Sequence, residues 1–117
     1  MKTILIVEDI DLNADLLSQL LEDDYNLLVA KDGQQGVTAV EQHAPDLVLM
    51  DISLPIMDGF EATRIIRKSN LDLPIIGLSA HAMSGDAEKA KAAGCTDYLT
   101  KPIDEDLLFK KLEQYLG

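Results

Sequence analysis

A parallel α/β sheet covered by helices on both faces is the fold class that this sequence predicts. Three observations carry it: wholly apolar runs of strand length, amphipathic helical patterns alternating with them, and a polar residue closing each run. Strands with one wet face alternate apolar and polar residues, whereas strands buried on both faces read as continuous apolar runs. Leu47-Val48-Leu49-Met50 is such a run, and it ends on Asp51. Parallel neighbours also need crossover connections, which intervening helices supply.

The first strand is expected over residues 2–7, a β-branched and leucine-rich run that stops at Glu8-Asp9. From Leu12 the apolar positions Leu12, Leu16, Leu17, Leu20 and Leu21 have the spacing of a helix with one buried stripe, and Asp11 stands where an N-cap is expected. Residues 26–30 read as a second strand and 33–43 as a second helix with Val37 and Val40 inward; His43 near its C-terminus suits the helix dipole and takes no chemical role. Pro45 stops that helix before the third strand. Residues 52–59 carry Pro and Gly as punctuation, and Phe60, Ile65 and Ile66 then mark a third helix whose Arg64, Arg67 and Lys68 face water. Residues 73–78 form the fourth strand, 84–93 a fourth helix closed by Gly94, and 97–100 the fifth strand. Leu107, Leu108, Leu112 and Leu116 build the last helix, entered through Pro102 and capped by Asp104.

Five strands alternating with five helices make a doubly wound sheet in one domain spanning residues 1–117, a length that buries a core without disulfides or a structural metal. The hydrophobic fraction of 47% and charged fraction of 26% are ordinary for a globular protein. The net charge of −11 is not: 10 basic residues face 21 acidic ones with no basic run, which argues against nucleic acid as a direct partner. The lone Cys95 excludes an intramolecular disulfide and reads as a small buried thiol. No apolar stretch approaches the ~18–20 residues of a membrane span and the chain starts directly in a strand, so no membrane insertion and a cytoplasmic location are expected.

In a doubly wound sheet ligands bind outside the carboxyl ends of the strands. Those ends supply Glu8 and Asp9 after the first strand, Asp51 after the third, Ser79 after the fourth and Lys101 after the fifth. Carboxylates converging without a counter-charge repel and raise one another's pKa, so the arrangement calls for a cation. Oxygen-only donors point to a hard divalent ion, Mg2+ above all, with Mn2+ able to substitute. Lys101 adds a fixed positive charge and Ser79 a hydroxyl donor. Together they describe a site for a phosphoryl group on Asp51, which as nucleophile would form an acyl phosphate. A structural alternative has Asp51 capping a loop and Lys101 paired with Asp9.

The motifs Ile4-Leu5-Ile6-Val7-Glu8-Asp9, Leu47-Val48-Leu49-Met50-Asp51, Leu54-Pro55-Ile56-Met57-Asp58-Gly59, Ser79-Ala80 and Lys101-Pro102, in this order and spacing, resemble those of bacterial response-regulator receiver domains over essentially the whole chain. The resemblance implies a flavodoxin-like (βα)5 fold of strand order 2-1-3-4-5 with Asp9 and Asp51 at the switch point. It implies that Asp51 is the phosphoacceptor, Asp9 a direct metal ligand, Glu8 a ligand through water, and Ser53 a ligand through its backbone carbonyl. Ser79 and Lys101 would contact the phosphoryl group, Tyr98 would be the switch aromatic, and Lys101-Pro102 a cis peptide. The chain departs from the family's pattern in having Glu8-Asp9 rather than two aspartates and Ser79 rather than the commoner threonine. Ser53 and His81 hold the variable positions that tune phosphoryl lifetime in the family.

The implied function is a signalling module of a two-component system or phosphorelay that catalyses its own phosphorylation and dephosphorylation and turns over no metabolite. Its partners would be a histidine kinase or histidine phosphotransfer protein and a downstream protein target. With the chain ending at Gly117, no output domain is expected. Ile10, Ala14, Leu17 and Ile103 are a candidate docking patch for a histidine-bearing helix bundle, since the first helix has more leucines than a buried stripe needs. The fourth helix, with Ala87, Ala90 and Ala93 inward, buries little apolar area. Phosphorylation is therefore expected to move it, with Met83, Lys91 and Tyr98 on the altered face. An aspartyl-phosphate hydrolase of the haloacid-dehalogenase type needs a second acid two residues after the nucleophile, where this chain has Ser53. A pseudo-receiver scaffold indifferent to phosphate is the remaining alternative.

Overall fold

The computed structural model describes residues 1–54, 56–79 and 85–117. Along them strands and helices alternate: β1 (Thr3–Val7), α1 (Asp11–Leu21), β2 (Asn26–Ala30), α2 (Gly33–His43), β3 (Leu47–Asp51), α3 (Gly59–Ser69), β4 (Ile75–Ser79), α4 (Asp86–Ala93), β5 (Asp97–Thr100) and α5 (Glu105–Leu116). The strands form one parallel sheet in the order β2-β1-β3-β4-β5. This is the doubly wound, flavodoxin-like fold expected above, with the Lys101-Pro102 bond in the cis form. His81 and Met83, singled out in the sequence, lie outside the described residues.

Continuous apolar strands are explained by two cores. Successive residues of a strand point to opposite faces, so Leu5, Val7, Val48 and Met50 join Val37, Val40, Ala62, Ile66 and Ala90 of α2, α3 and α4 on one side. Ile4, Ile6, Leu47 and Leu49 join Leu17, Leu21, Leu108 and Leu112 of α1 and α5 on the other. Every side chain from Ile4 to Val7 and from Leu47 to Met50 is fully buried. Each contributes roughly 1.5–3 kcal/mol relative to exposure, so the two central strands anchor the domain.

Several local expectations are corrected. Asp11 is the first helical residue of α1 rather than its cap; Ile10 holds the cap position without a side-chain bond, and the Asp11 carboxylate pairs with Lys31 instead. The buried stripe of α1 is Ala14, Leu17 and Leu21, which leaves Leu12 and Leu16 in solvent. Leu107 is exposed as well, since Leu108 and Leu112 already fill the α5 side of the core. Asp104 does cap α5, accepting from the Leu107 N–H.

Arg67 is half-buried rather than facing water. Its Nε donates to the Gly94 carbonyl at 2.7 Å, Nη1 to the Asn70 carbonyl at 3.1 Å and Nη2 to Thr96 Oγ1 at 3.1 Å, so the donor-rich guanidinium ties the end of α3 to the end of α4 and the approach to β5. Gly94 closes α4 with φ +111°, and a Cβ there would lie 2.7 Å from Arg67 Cγ. The other end of α4 starts at Gly85 without a side-chain cap.

The β3–α3 loop is held by close backbone packing. A Cβ on Gly59 would lie 2.4 Å from the Asp51 carbonyl oxygen and 2.6 Å from Ile52 Cα, and one on Gly33 2.2 Å from the Met57 carbonyl oxygen. Because the obstructing atoms at Gly59 are backbone, they cannot rotate aside. Gly59→Ala is expected to lower stability by roughly 1–3 kcal/mol in urea unfolding; a loss under about 0.5 kcal/mol would show that the first turn of α3 does not depend on this approach.

Candidate functional site at the carboxyl edge of the sheet

β1 sits between β2 and β3, and the helices that follow β1 and β3 pack on opposite faces, so the carboxyl ends of β1 and β3 border the switch-point crevice. Glu8 and Asp9 follow β1 directly, and Asp51 is the last residue of β3. One carboxylate oxygen from each of the three lies within 4.8 Å of the others. Glu8 is fully buried and Asp51 is 4% exposed, whereas Asp9 is at the surface.

Lys101, just beyond β5, reaches across to both buried acids: its Nζ stands 2.9 Å from Glu8 Oε1 and 3.1 Å from Asp51 Oδ2. Its backbone N–H donates to the Ser79 carbonyl at 2.6 Å, which fixes the lysine against the end of β4. Asp51 Oδ1 accepts the Ser53 N–H at 2.9 Å. Among the described residues, Glu8 Oε2 is buried and has no hydrogen-bond partner.

The two buried acids diverge. Burial first, then the adjoining Asp51 carboxylate, push Glu8 up to about 7 against the pull of Lys101. Burial also opposes charge on Asp51, but the adjacent Glu8 carboxyl, the Ser53 N–H and Lys101 outweigh it and hold Asp51 below its ordinary value. Burial would lower Lys101, yet its bonds to Glu8 and Asp51 raise it, so the lysine stays charged. The result is an ionised Asp51 beside a fixed cation, with a second carboxyl able to hold or release a proton.

The donors fit a hard divalent cation. They are oxygens, they converge, and the orphaned Glu8 Oε2 is a buried polar atom that a cation or its bound water would satisfy. The structural alternative, with Lys101 paired to Asp9, is not what is seen, since the lysine pairs with Glu8 and Asp51.

Ser79 ends β4 at this edge and is 1% exposed, beside Thr100 of β5 in register. Tyr98 is half-buried on β5 opposite Gly77, its Cδ2 3.6 Å from where a Gly77 Cβ would stand. Lys91 is exposed on α4. The expected docking patch is corrected: Ala14 and Leu17 are 2% and 6% exposed and belong to the core, while Ile10 is exposed and Ile103 half-buried. Sequence reasoning missed Leu12 and Leu16 as surface residues, the Glu8–Lys101 pair and the Ser53 N–H on Asp51. Helical spacing could have found the leucines, because Leu12 lies opposite Leu21 on the helix. It also missed Ile56, which is 87% exposed and holds φ +67°, a conformation costly to a β-branched residue, in the loop beside the site.

Residues 4–113 match the family model of the response regulator receiver domain. The polar-differentiation response regulator DivK of Brucella anthropi is 35% identical over 119 residues, covering 99% of this chain and 97% of its own. The receiver domain of sensor histidine kinase PA1611 from Pseudomonas aeruginosa, solved with magnesium coordinated in its active-site cleft, is 38% identical with a TM-score of 0.93, covering 99% of this chain and 98% of that one. The receiver domain of Ssk1 from Saccharomyces cerevisiae, solved with the histidine phosphotransfer protein Ypd1, matches with a TM-score of 0.91 at 32% identity over 97% of this chain and 88% of that one.

Without metal, Glu8 is expected to titrate near neutrality. Its folded pKa of about 7 lies above the ordinary 4.5, so the stability its neutral form provides is complete below about pH 4.5 and is lost as pH rises through 7. Carbon-13 NMR of the carboxyl should give a midpoint near 7, and Glu8→Gln should remove the loss of stability across that window. A midpoint in the ordinary carboxylate range would overturn the assignment.

Proposed function

Because the chain belongs to the response regulator receiver family, we propose that residues 1–117 form one phospho-accepting module of a two-component system or phosphorelay, which takes a phosphoryl group on Asp51 from a histidine-phosphorylated partner. The observation that carries the reading is an Asp51 carboxylate kept ionised at a buried strand end by Lys101 and the Ser53 N–H, with two further acids beside it. Glu8, Asp9, Asp51 and the Ser53 carbonyl would hold Mg2+, the ion carried by the PA1611 receiver. When bound, that ion neutralises carboxylates and phosphoryl oxygens together.

An Asp51 carboxylate oxygen bonds to phosphorus as the phosphorus–nitrogen bond to the donor imidazole breaks, the ring keeping the electron pair. Lys101 Nζ, already on Asp51 Oδ2, faces the charge on the transferring group. The Ser79 hydroxyl donates to one of its oxygens, and no general base is required for an already ionised nucleophile. In the return step a water oxygen bonds to phosphorus as the acyl phosphate bond breaks, which restores the carboxylate and releases inorganic phosphate. Both steps act on the chain itself, so no metabolite is turned over. Tyr98 would report the event by turning inward as Ser79 moves toward the phosphoryl group.

The phosphodonor is a histidine kinase or histidine phosphotransfer protein, the latter being what the Ssk1 receiver was solved with. The output is a protein target. The reading carries a cytoplasmic site of action, with which the free, buried Cys95 thiol agrees. Among the described residues no helix is long and apolar enough to cross a membrane.

Incubation with acetyl phosphate and Mg2+ should add the mass of one phosphoryl group. Asp51→Asn or removal of Mg2+ should abolish the gain, and Lys101→Met should slow it by roughly 10²–10³-fold. No mass gain, or gain in Asp51→Asn, would return the protein to the scaffold reading. Hydrogen exchange compared with and without a beryllofluoride adduct should change in α4, where Ala90 and Ala93 are the buried side chains among the described residues; identical exchange there would refute movement of that helix.

A further inference from the structure

Gly77 stands in the middle of β4, the single glycine within the strands of the sheet. Glycine weakens a strand interior and marks a place where another group comes close to the backbone. Gly77 is buried and paired on both sides, with Met50 of β3 and Tyr98 of β5 in register, and its φ lies outside the left-handed region. The backbone conformation therefore does not call for glycine. Nor does crowding: among the described residues, a Cβ there would stand 3.5 Å from Cys95 Sγ, 3.6 Å from Tyr98 Cδ2 and 3.7 Å from Ala90 Cβ, all ordinary van der Waals distances. A methyl group fits, and the fold forgoes the contacts it would make.

A second arrangement that uses this space accounts for the glycine. The groups around it belong to the segments expected to move: Tyr98 is the switch aromatic, Ala90 is on the buried side of α4, and Cys95 joins α4 to β5. Ser79 is two residues beyond Gly77 and so on the same face of β4. The Tyr98 ring and the Ala90 methyl thus meet over a stretch of β4 that has no side chain, one pleat short of the hydroxyl that would contact the phosphoryl group.

We propose that Gly77 is a positioning residue for the response to phosphorylation: it keeps a methyl-sized space against the β4 backbone, into which the Tyr98 ring and α4, through Ala90, close when Ser79 is drawn to the phosphoryl group. The proposal rests on the reading of Asp51 as phosphoacceptor and of Tyr98 and α4 as moving parts. Packed groups shift between discrete arrangements rather than deform, so a side chain at position 77 decides which arrangement is reachable. Alanine fits the resting arrangement and blocks the switched one. It biases the protein toward rest and, by linkage, weakens any ligand that prefers the switched state by the same factor. A merely structural glycine would alter unfolding alone, because a change felt equally by both arrangements shifts neither.

Gly77→Ala tests it with three measurements. In urea unfolding of the free protein the midpoint should rise, because the methyl gains contacts and the unfolded chain has less freedom to lose. In NMR titration with beryllofluoride and Mg2+, the Ala90 methyl and the Tyr98 ring should shift in the wild type, whereas Gly77→Ala should need at least about tenfold more beryllofluoride for the same shifts. Acetyl phosphate and Mg2+ should still add one phosphoryl group to the variant, since Gly77 touches no reacting group. A lowered midpoint would show that position 77 has no room for a methyl, and an unchanged beryllofluoride affinity would show that the space goes unused; either overturns the proposal. The wild type separates the underlying readings. No mass gain there would sink the acceptor reading, and mass gain with Ala90 and Tyr98 unmoved would sink the switch, each taking the role of Gly77 with it. Wild-type shifts that Gly77→Ala reproduces at the same concentration would sink the role of Gly77 alone.

Discussion

The Lys101 ammonium, held between Glu8 and Asp51, is the interaction on which the site depends. Two carboxylates buried a few ångströms apart repel, and each would be driven toward its neutral form. The lysine lets one of them stay ionised, and its two bonds are made across the ends of three strands. Removing one partner of a buried ion pair typically costs about 3–5 kcal/mol because the other charge is left stranded. The same geometry sets the two acids apart: Glu8 is raised and Asp51 lowered, so neighbouring acids of similar intrinsic strength differ in how readily they hold a proton.

That arrangement needs a rigid frame, and the frame is apolar. β1 and β3 are buried on both faces and end at the same edge, so the acids that terminate them are placed by hydrophobic packing rather than by their own bonds. Lys101 is placed differently, through a backbone bond to Ser79 on the neighbouring strand. The β3–α3 loop is fixed by Gly59 against the backbone of Asp51 and Ile52. The strained, exposed Ile56 lies in that same loop, where Gly59 and Gly33 press the neighbouring backbone into place.

Much of this was legible in the residues. Uninterrupted apolar runs mark two-sided burial, so the parallel sheet and the polar edge beyond it could be read from Leu47–Asp51 and its counterparts. Pairings between strand ends could not, because periodicity says nothing of side-chain reach; hence Lys101 was set against Asp9 in the structural alternative although it pairs with Glu8 and Asp51. On α1, five leucines suggested one broad buried stripe, but a helix against a sheet buries a narrower arc, already filled by Ala14, Leu17 and Leu21. Arg67 was read as a surface charge by residue type, when its donors complete carbonyls left open at two helix ends.

The Arg67 contacts give α4 unequal ends. At Gly94 the helix is pinned by a guanidinium, a left-handed glycine and the backbone bonds of its final turn; at Gly85 it begins without a side-chain cap, and among the described residues its buried side chains are Ala90 and Ala93. An element fastened at one end and lightly seated along its length would, if displaced, pivot about the fastened end. Arg67 would then set the axis of that pivot.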